Sequence, residues 1–272
     1  MKFKTILVSF NIIIIGSLGF ILLMPLLMLR GDYVKVFWRA NWYLPAVFAL
    51  MLSALNFYFL KNRKVFSFFE NEDWAGARAY LEDRIYSKNR YSRQAIRLLI
   101  NTYIVMADTG ALEKLSRYLE ESSPRYFPVF ALELGIPYTV GGNADAMRDY
   151  FERALKRSSV HKRPWLIWHS AFAGLGSSSA ETRGLAAASL RELAVGGRDG
   201  VLRLFAASLL DSRGGTGDDE FTRRMRAELK ALHTRGGWEK LFARFGASLV
   251  GLVLKRFLAE AEKWLYEGEE ND

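Results

Sequence analysis

The sequence predicts an all-α protein in which two transmembrane helices precede a larger helical domain. Two uncharged apolar segments, Ile6 to Leu29 and Trp42 to Leu60, are each long enough to cross a bilayer core of about 30 Å as a helix. After Lys64, apolar residues recur at the spacing of amphipathic helices, and we find no alternating strand pattern of useful length. With 50% hydrophobic and 25% charged residues, this part of the chain can form a hydrophobic core.

The first apolar segment is predicted to be an uncleaved helix. It follows Lys2 and Lys4, as the apolar part of a signal peptide would, but it is longer than the roughly 7–15 residues usual there. No cleavage site of small residues follows it. We therefore assign residues 1–64 to a transmembrane hairpin, with spans at about 6–29 and 42–60 that are joined by a loop.

Basic residues predict the orientation of this hairpin. They are denser outside the two spans than in the loop, and the outer ones are Lys2, Lys4, Lys61, Arg63 and Lys64. Since basic flanks are retained in the cytoplasm, we expect an integral protein of the inner or plasma membrane with both termini cytoplasmic. Trp38, Trp42 and Tyr43 are then expected at the outer interface.

Two polar residues, Asn11 and Asn56, interrupt the apolar spans. An amide within a membrane span is stabilised when it hydrogen-bonds to a neighbouring helix. We therefore expect each of these side chains to bond to the partner helix of the hairpin, and a hairpin of two spans does not favour a transport role.

The segment Pro128 to Arg157 has the most distinctive pattern in the domain, carried by Leu134, Gly135, Tyr138, Gly142, Met147, Phe151 and Ala154. It resembles a tetratricopeptide (TPR) repeat, although Met147 stands where the family has a small residue. Trp165, Phe172 and Gly176 follow Ala131, Tyr138 and Gly142 after 34 positions, which is the TPR period. His169 replaces a small residue in this second unit.

The resemblance implies an antiparallel helix-pair array, a TPR-like α-solenoid, over residues 65–195. Gly135 would allow close helix packing, Gly142 would allow a tight turn, and Phe151 would fill the space between helices. Leu185 and Ala188 would take the places of Phe151 and Ala154 in the next unit. Some other α-helical array is the alternative.

In TPR domains the first helix of each pair lines a concave face that holds peptides or partner helices. The resemblance therefore implies a protein partner, and the candidate partner-binding residues are Arg97, Asn101, Tyr138, Trp165 and His169. Ordinary packing or a solvated surface is the alternative for each of them.

Residues 196–272 are predicted to cap the array. Asp199 to Asp211 has the pattern of a buried helix, and Asp218 is a candidate N-cap for the next one. Trp238 to Tyr266 predicts one long helix. It could cap the last repeat, bind a partner or second copy, or lie in the membrane plane.

No catalytic constellation is recognisable in the sequence. Cysteine is absent, the three histidines are scattered, and no phosphate-binding loop or nucleophile elbow occurs. We therefore expect no enzyme activity, cofactor or metal. The net charge of +9 arises from basic residues interleaved with acids, which favours proximity to membrane lipid over nucleic-acid binding.

These observations favour a membrane-anchored scaffold or adaptor. A structural subunit of a membrane machine, such as a motor, secretion or envelope-assembly complex, is the alternative, and an enzyme with an unrecognised helical site is a third.

Overall fold

A computed structural model describes residues 3–28, 31–157, 163–213 and 219–266. All regular elements within these ranges are helices, which confirms the all-α class. The chain forms two compact units, Met1–Thr102 and Tyr103–Asp272, and each is described by itself. The finer division predicted from sequence, at residues 64 and 195, stays a prediction.

The first unit begins with three helices, α1 (Phe3–Met28), α2 (Gly31–Asn41) and α3 (Tyr43–Glu70). They are followed by α4 (Trp74–Glu82), a π-helical turn (Asp83–Ser87) and α5 (Arg93–Val105), which continues past the unit boundary. By length and composition, α3 is the one helix in the described part of the chain that could cross a membrane. The apolar stretch described within α1, Val8–Met24, is shorter.

Two amide side chains connect α1 with α3. Asn56 Nδ2 donates to Asn11 Oδ1 at 2.9 Å, and Asn11 Nδ2 donates to Asn56 Oδ1 at 3.3 Å. This confirms the prediction that these residues bond to the partner helix. Since Ile12 and Leu50 on the same two helices are 64% and 71% exposed, the amide pair belongs to a helix pair with a largely apolar exterior.

The segment predicted as the hairpin loop forms α2 instead. Val34, Phe37 and Trp38 recur at three- and four-residue spacing and are half-buried, whereas Lys35 and Arg39 are exposed. This spacing gives a helix an apolar side and a polar side. The loop prediction was wrong because it ignored that periodicity.

α3 continues well beyond its apolar segment and packs against α4. Val65 is buried, and the ring of Phe68 lies 6.1 Å from that of Tyr80. Between the helices, the carboxylate of Asp73 accepts a hydrogen bond of 2.8 Å from the Gly76 N–H and so caps α4. The chain therefore breaks between α3 and α4 at residues 71–73.

The second unit consists of short and medium helices. Its elements, after the end of α5, are α6 (Thr109–Ser122), a 3₁₀ turn (Phe127–Val129), α7 (Ala131–Leu134), α8 (Ile136–Val140), α9 (Ala144–Arg157), α10 (Arg163–Leu175), α11 (Ala180–Gly196), α12 (Gly200–Arg213), α13 (Asp219–Leu232), α14 (Arg235–Gly246), α15 (Leu249–Val253) and α16 (Lys255–Tyr266). From α9 to α13, each helix packs against the next one in the chain, and α16 packs against α12 and α13. The Asp218 prediction falls outside the described residues.

A cluster of aromatic side chains lies within the core of this unit. Trp168 of α10 is 1% exposed and stacks on Phe172, with ring centroids 5.5 Å apart. It also meets Phe205 of α12 edge-on at 5.5 Å and Phe257 of α16 at 6.1 Å. The C-terminal helices and α10 therefore share one core.

The best TPR-like unit differs from a helix pair in its first half. Residues 127–140 form a 3₁₀ turn and two short helices, because Pro137 has no N–H to continue an α-helix through this segment. The local packing nevertheless agrees with expectation at the glycines. A Cβ on Gly135 would lie 2.5 Å from Phe151 Cζ, and Gly142 has a positive φ of 73°.

The long helix predicted from Trp238 to Tyr266 is absent, and α14, α15 and α16 take its place. The break arises at Ser248, which has an extended conformation and accepts a 2.9 Å hydrogen bond from the Gly251 N–H. Gly251 then packs directly against the Phe245 carbonyl, where no side chain fits. The apolar periodicity concealed this cap.

Candidate functional site

The second unit has a groove whose walls are α9 and α11 and whose floor is α10. Asn143 caps α9 by accepting a 3.0 Å bond from the Ala146 N–H, and Ser179 caps α11 by accepting from the Thr182 N–H at 3.3 Å. Met147 and Phe151 lie on one face of α9, and this face is buried. The opposite side of α9 is left free to form a wall.

Small residues set the distance between α10 and α11. A Cβ on Gly174 would lie 2.9 Å from the Cβ of Ala186, so the two helices meet at that point. Ala171 and Ala186 are both buried beside this contact. Because the close contact is made by small residues, space remains above it.

This space is a cavity of about 500 Å³ that is open to solvent. Its apolar lining includes Leu155 of α9, Ile167 of α10 and Leu185 of α11. Leu185 is 66% exposed, which is unusual for a large apolar side chain beside a buried helix contact. We call this feature the α9–α11 groove.

Charged residues surround the groove. Arg148 on α9 lies between three carboxylates, Asp145 at 3.4 Å, Glu152 at 3.8 Å and Asp149 at 3.9 Å. Glu192 lines the opposite wall. One guanidinium therefore faces four carboxylates in and beside the groove, and the local charge is negative although the whole chain is basic.

The lining of the groove is mixed in chemical character. Its described lining combines small, apolar and charged side chains and includes no histidine. In the part of the chain that the structure describes, no three His, Asp or Glu residues are grouped as a metal site would require. The arrangement offers an apolar strip between acidic walls.

None of the five candidate residues predicted from sequence lines this groove. Arg97 and Asn101 lie on α5 in the first unit, where Arg97 is exposed and the buried Oδ1 of Asn101 has no partner within the described residues. Tyr138 is half-buried and stacks on Tyr150, with ring centroids 4.5 Å apart. Burial of its hydroxyl is the main cause of a raised pKa for Tyr138.

Trp165 and His169 lie together in the core beside the groove floor. Trp165 stacks on Phe245 at 5.1 Å, and its Nε1–H donates to Asp199 Oδ2 at 3.2 Å. His169 is 3% exposed, and its Nδ1 lies 2.8 Å from the Trp165 carbonyl, so Nδ1 carries the proton that is donated. Burial lowers the pKa of His169 to about 4, which keeps the ring neutral at pH 7.

The sequence analysis assigned no binding role to Arg148, Glu152, Leu185 or Glu192. The available signal was the dense charge around Arg148 on α9, between Asp145 and Glu152. Leu185 was expected to be buried in the place of Phe151, but Ala186 is buried and Leu185 is exposed. The TPR register therefore does not hold on α11.

Comparison with known proteins identifies a different family from the one that the sequence motifs suggested. Residues 111–267, more than half of the chain, match the family described as "Uncharacterised Treponema protein". The chain belongs to this family. No TPR family is detected, and the TPR assignment was therefore wrong. Two structural features agree with this correction, namely the broken first helix at residues 127–140 and the exposed side chain of Leu185.

A relative in Treponema pallidum (strain Nichols), titled "Uncharacterized protein", is 25% identical over 283 aligned positions. The alignment covers 98% of this chain and 88% of the relative. It therefore includes both the apolar N-terminal helices and the α9–α11 groove. No solved structure matches the chain.

Proposed function

We propose that this protein is a membrane-anchored helical scaffold that binds a partner protein through the α9–α11 groove. The anchor is the hairpin of α1 and α3, with both spans in the inner or plasma membrane and both termini in the cytoplasm. The length and apolar composition of α3, and the exposure of large apolar side chains on α1 and α3, support the anchor. The basic residues flanking the hairpin support the orientation.

The groove is the observation that carries the binding role. Its floor and walls expose Leu155, Ile167 and Leu185 in one strip, while Glu152 and Glu192 stand on opposite walls. A helix is about 10 Å wide, and an amphipathic helix places its apolar residues in such a strip. The occupant that fits is therefore a basic amphipathic helix of another protein, whose lysines or arginines meet the acidic walls.

Site-specific crosslinking tests this proposal in the full-length protein. A benzoylphenylalanine at Leu185 in the groove, expressed in native membranes, should give one defined protein adduct whose crosslinked segment is basic and amphipathic. The same probe at Leu232, an apolar residue on α13 that is 44% exposed and outside the groove, is the matched control and should not give it.

Charge reversal then separates binding from chance proximity. Glu152→Lys with Glu192→Lys should abolish the adduct at Leu185, because a basic helix would face two added cations. An adduct that survives this change, or that forms equally at Leu232, contradicts the groove as the binding site. Loss of the wild-type protein from membranes on carbonate washing contradicts the anchor.

A further inference from the structure

A hydrogen bond connects the first turn of α5 with α3. Gln94 Nε2 on the first turn of α5 donates to the hydroxyl of Tyr58 on α3 at 2.5 Å. Tyr58 lies far from the end of α3 at Glu70, by about 18 Å at the helical rise of 1.5 Å per residue. The Gln94 side chain on the first turn of α5 therefore lies near the level where the apolar segment of α3 ends.

Exposed basic side chains gather at this level. Lys61, Arg63 and Lys64 follow Tyr58 on α3, and Arg93 and Arg97 flank Gln94 on α5. All five are exposed, and among the described residues none of the five has a carboxylate within 4.0 Å. We call these five residues the basic collar.

The acidic residues of this unit are placed elsewhere or are already paired. Glu82 pairs with Arg78, and Asp83 pairs with Lys88. Glu70 stands at the end of α3, about 9 Å of helical rise beyond Lys64, the nearest residue of the collar, and this is about one Debye length. The described carboxylates of this unit therefore leave the collar without a close ion-pair partner.

Within the collar, like charges stand close together. Arg93 and Arg97 are four residues apart on one helix, a spacing at which two cations repel each other. An external anion placed between α3 and the first turn of α5 would relieve that repulsion. The chemistry that fits is a phosphate group, for which guanidinium and ammonium groups are the usual ligands.

We propose that the basic collar binds the phosphate groups of anionic phospholipids in the bilayer that α3 crosses. This inference depends on the proposed membrane anchor. Leu60 is the last residue of the apolar segment and Lys61 begins the collar, so the collar stands at the depth of the headgroups. Its five residues are distributed over two helices, which suits several headgroups at one depth.

Lipid retention by the full-length protein tests the proposal. The protein is reconstituted in nanodiscs of phosphatidylcholine with phosphatidylglycerol, and native mass spectrometry counts the lipids that stay bound after release. The wild type should retain phosphatidylglycerol preferentially, and the preference should weaken between about 50 mM and 500 mM salt. A wild type that shows no preference overturns the proposal.

A matched pair of variants locates the effect. The collar variant carries Lys61→Gln, Arg63→Gln, Lys64→Gln, Arg93→Gln and Arg97→Gln. The control changes the net charge equally in the second unit, with Arg117→Gln, Lys156→Gln, Lys240→Gln, Arg244→Gln and Lys255→Gln. Each collar substitution should weaken phosphatidylglycerol retention about fivefold, and the control should retain the wild-type preference. Equal retention by the two variants overturns the proposal.

Two further measurements distinguish lipid binding from an effect of unfolding and from binding of free phosphate. The double variant Arg93→Gln/Arg97→Gln, with unchanged circular dichroism, should show a partial loss that cannot be attributed to unfolding. Excess inorganic phosphate should not displace the lipid, and displacement would identify free phosphate as the ligand instead. If the protein resists carbonate extraction but shows no lipid preference, the collar fails while the anchor stands; if it is extracted, the anchor itself fails.

Discussion

Burial decides the protonation of His169. The ring is packed between Phe151 at 4.7 Å and Trp168 at 5.0 Å, and within the described residues its polar contact is the Trp165 carbonyl. The pKa falls from 6.5 to about 4 because the charged ring would lose its hydration. Between these two values the unfolded chain binds a proton that the folded protein does not.

This difference predicts a pH-dependent stability. The contribution of His169 is fully present above pH 6.5 and is lost progressively as the pH falls toward 4, by about 3 kcal/mol in total. His169→Gln should remove that part of the pH dependence from the free energy of unfolding, measured by urea titration in mild detergent. The exposed His233→Gln serves as control, and a His169→Gln profile parallel to that of the wild type would contradict the prediction.

Gly135 shows how a single missing methyl group sets helix packing. Its φ of −80° is ordinary for any residue, so the requirement for glycine comes only from space. Gly135→Ala would bring the new Cβ within 2.5 Å of Phe151 Cζ and 2.9 Å of Tyr150 Cε1. We expect a loss of about 1–3 kcal/mol in the free energy of unfolding.

Gly184 on α11 is the matched control for this substitution. It lies inside a helix, and a methyl group added there would have nothing within 4 Å, so Gly184→Ala should stabilise the protein by about 0.5–1 kcal/mol. Both changes are measured by the same urea titration. Similar effects at the two positions would mean that the contact with Phe151 is not restrictive.

At the level of single residues, sequence analysis was correct where local backbone geometry determines the structure. It was wrong where the structure depends on which side of a helix faces its neighbour. The close approach at Gly135 and the positive φ at Gly142 follow from the absence of a side chain. Predicting that Leu185 is exposed required knowing which side of α11 faces α10. That depends on Gly174 meeting Ala186, a contact that spacing along one helix does not reveal.

At the scale of elements, the amide pair between α1 and α3 predicts a coupled effect. Asn11→Leu or Asn56→Leu alone removes both amide–amide hydrogen bonds between the two helices and should destabilise the helix pair by about 1 kcal/mol. The double variant should cost less than the sum, because each single variant already removes the same two hydrogen bonds. An SDS titration of the protein in mixed micelles measures all four species, and strict additivity would contradict the coupling.

Helix ends were predictable where a capping residue stands beside an obvious break. Asp73 and Ser179 are in this class. Ser248 is not, because it interrupts an apolar segment that continues in phase from Leu241 to Leu252. The α14–α15 break therefore depends on a local cap and the glycine at 251, which the apolar pattern concealed.

At the scale of the whole molecule, the absence of cysteine permits a direct test of topology. Lys35 on α2 and Glu72 after α3 are both exposed, so a single cysteine at either position can react with a membrane-impermeant maleimide. In intact cells Lys35→Cys should be labelled, and Glu72→Cys should be labelled only after permeabilisation. Labelling of both positions from one side would show that α3 does not cross the membrane.

The all-α class was predictable because long apolar segments are followed by helical apolar periodicity after Lys64, whereas the groove was not. The groove requires three consecutive helices and the small residues that join two of them, Gly174 and Ala186. Its acidic walls come from residues 40 positions apart, Glu152 and Glu192. A motif search along the chain cannot bring such residues together, and it favoured a repeat family instead.

The lack of glycine and proline along most of α3 has a mechanical consequence. From Ala46 to Glu70 it contains neither glycine nor proline, so nothing in it can act as a joint. The segment from Leu60 to Glu70 extends about 15 Å, and a lean of about 20° in the bilayer would swing its tip sideways by about 5 Å. In the proposed membrane anchor, a change in bilayer thickness would therefore change the tilt of α3 and move α4 with it.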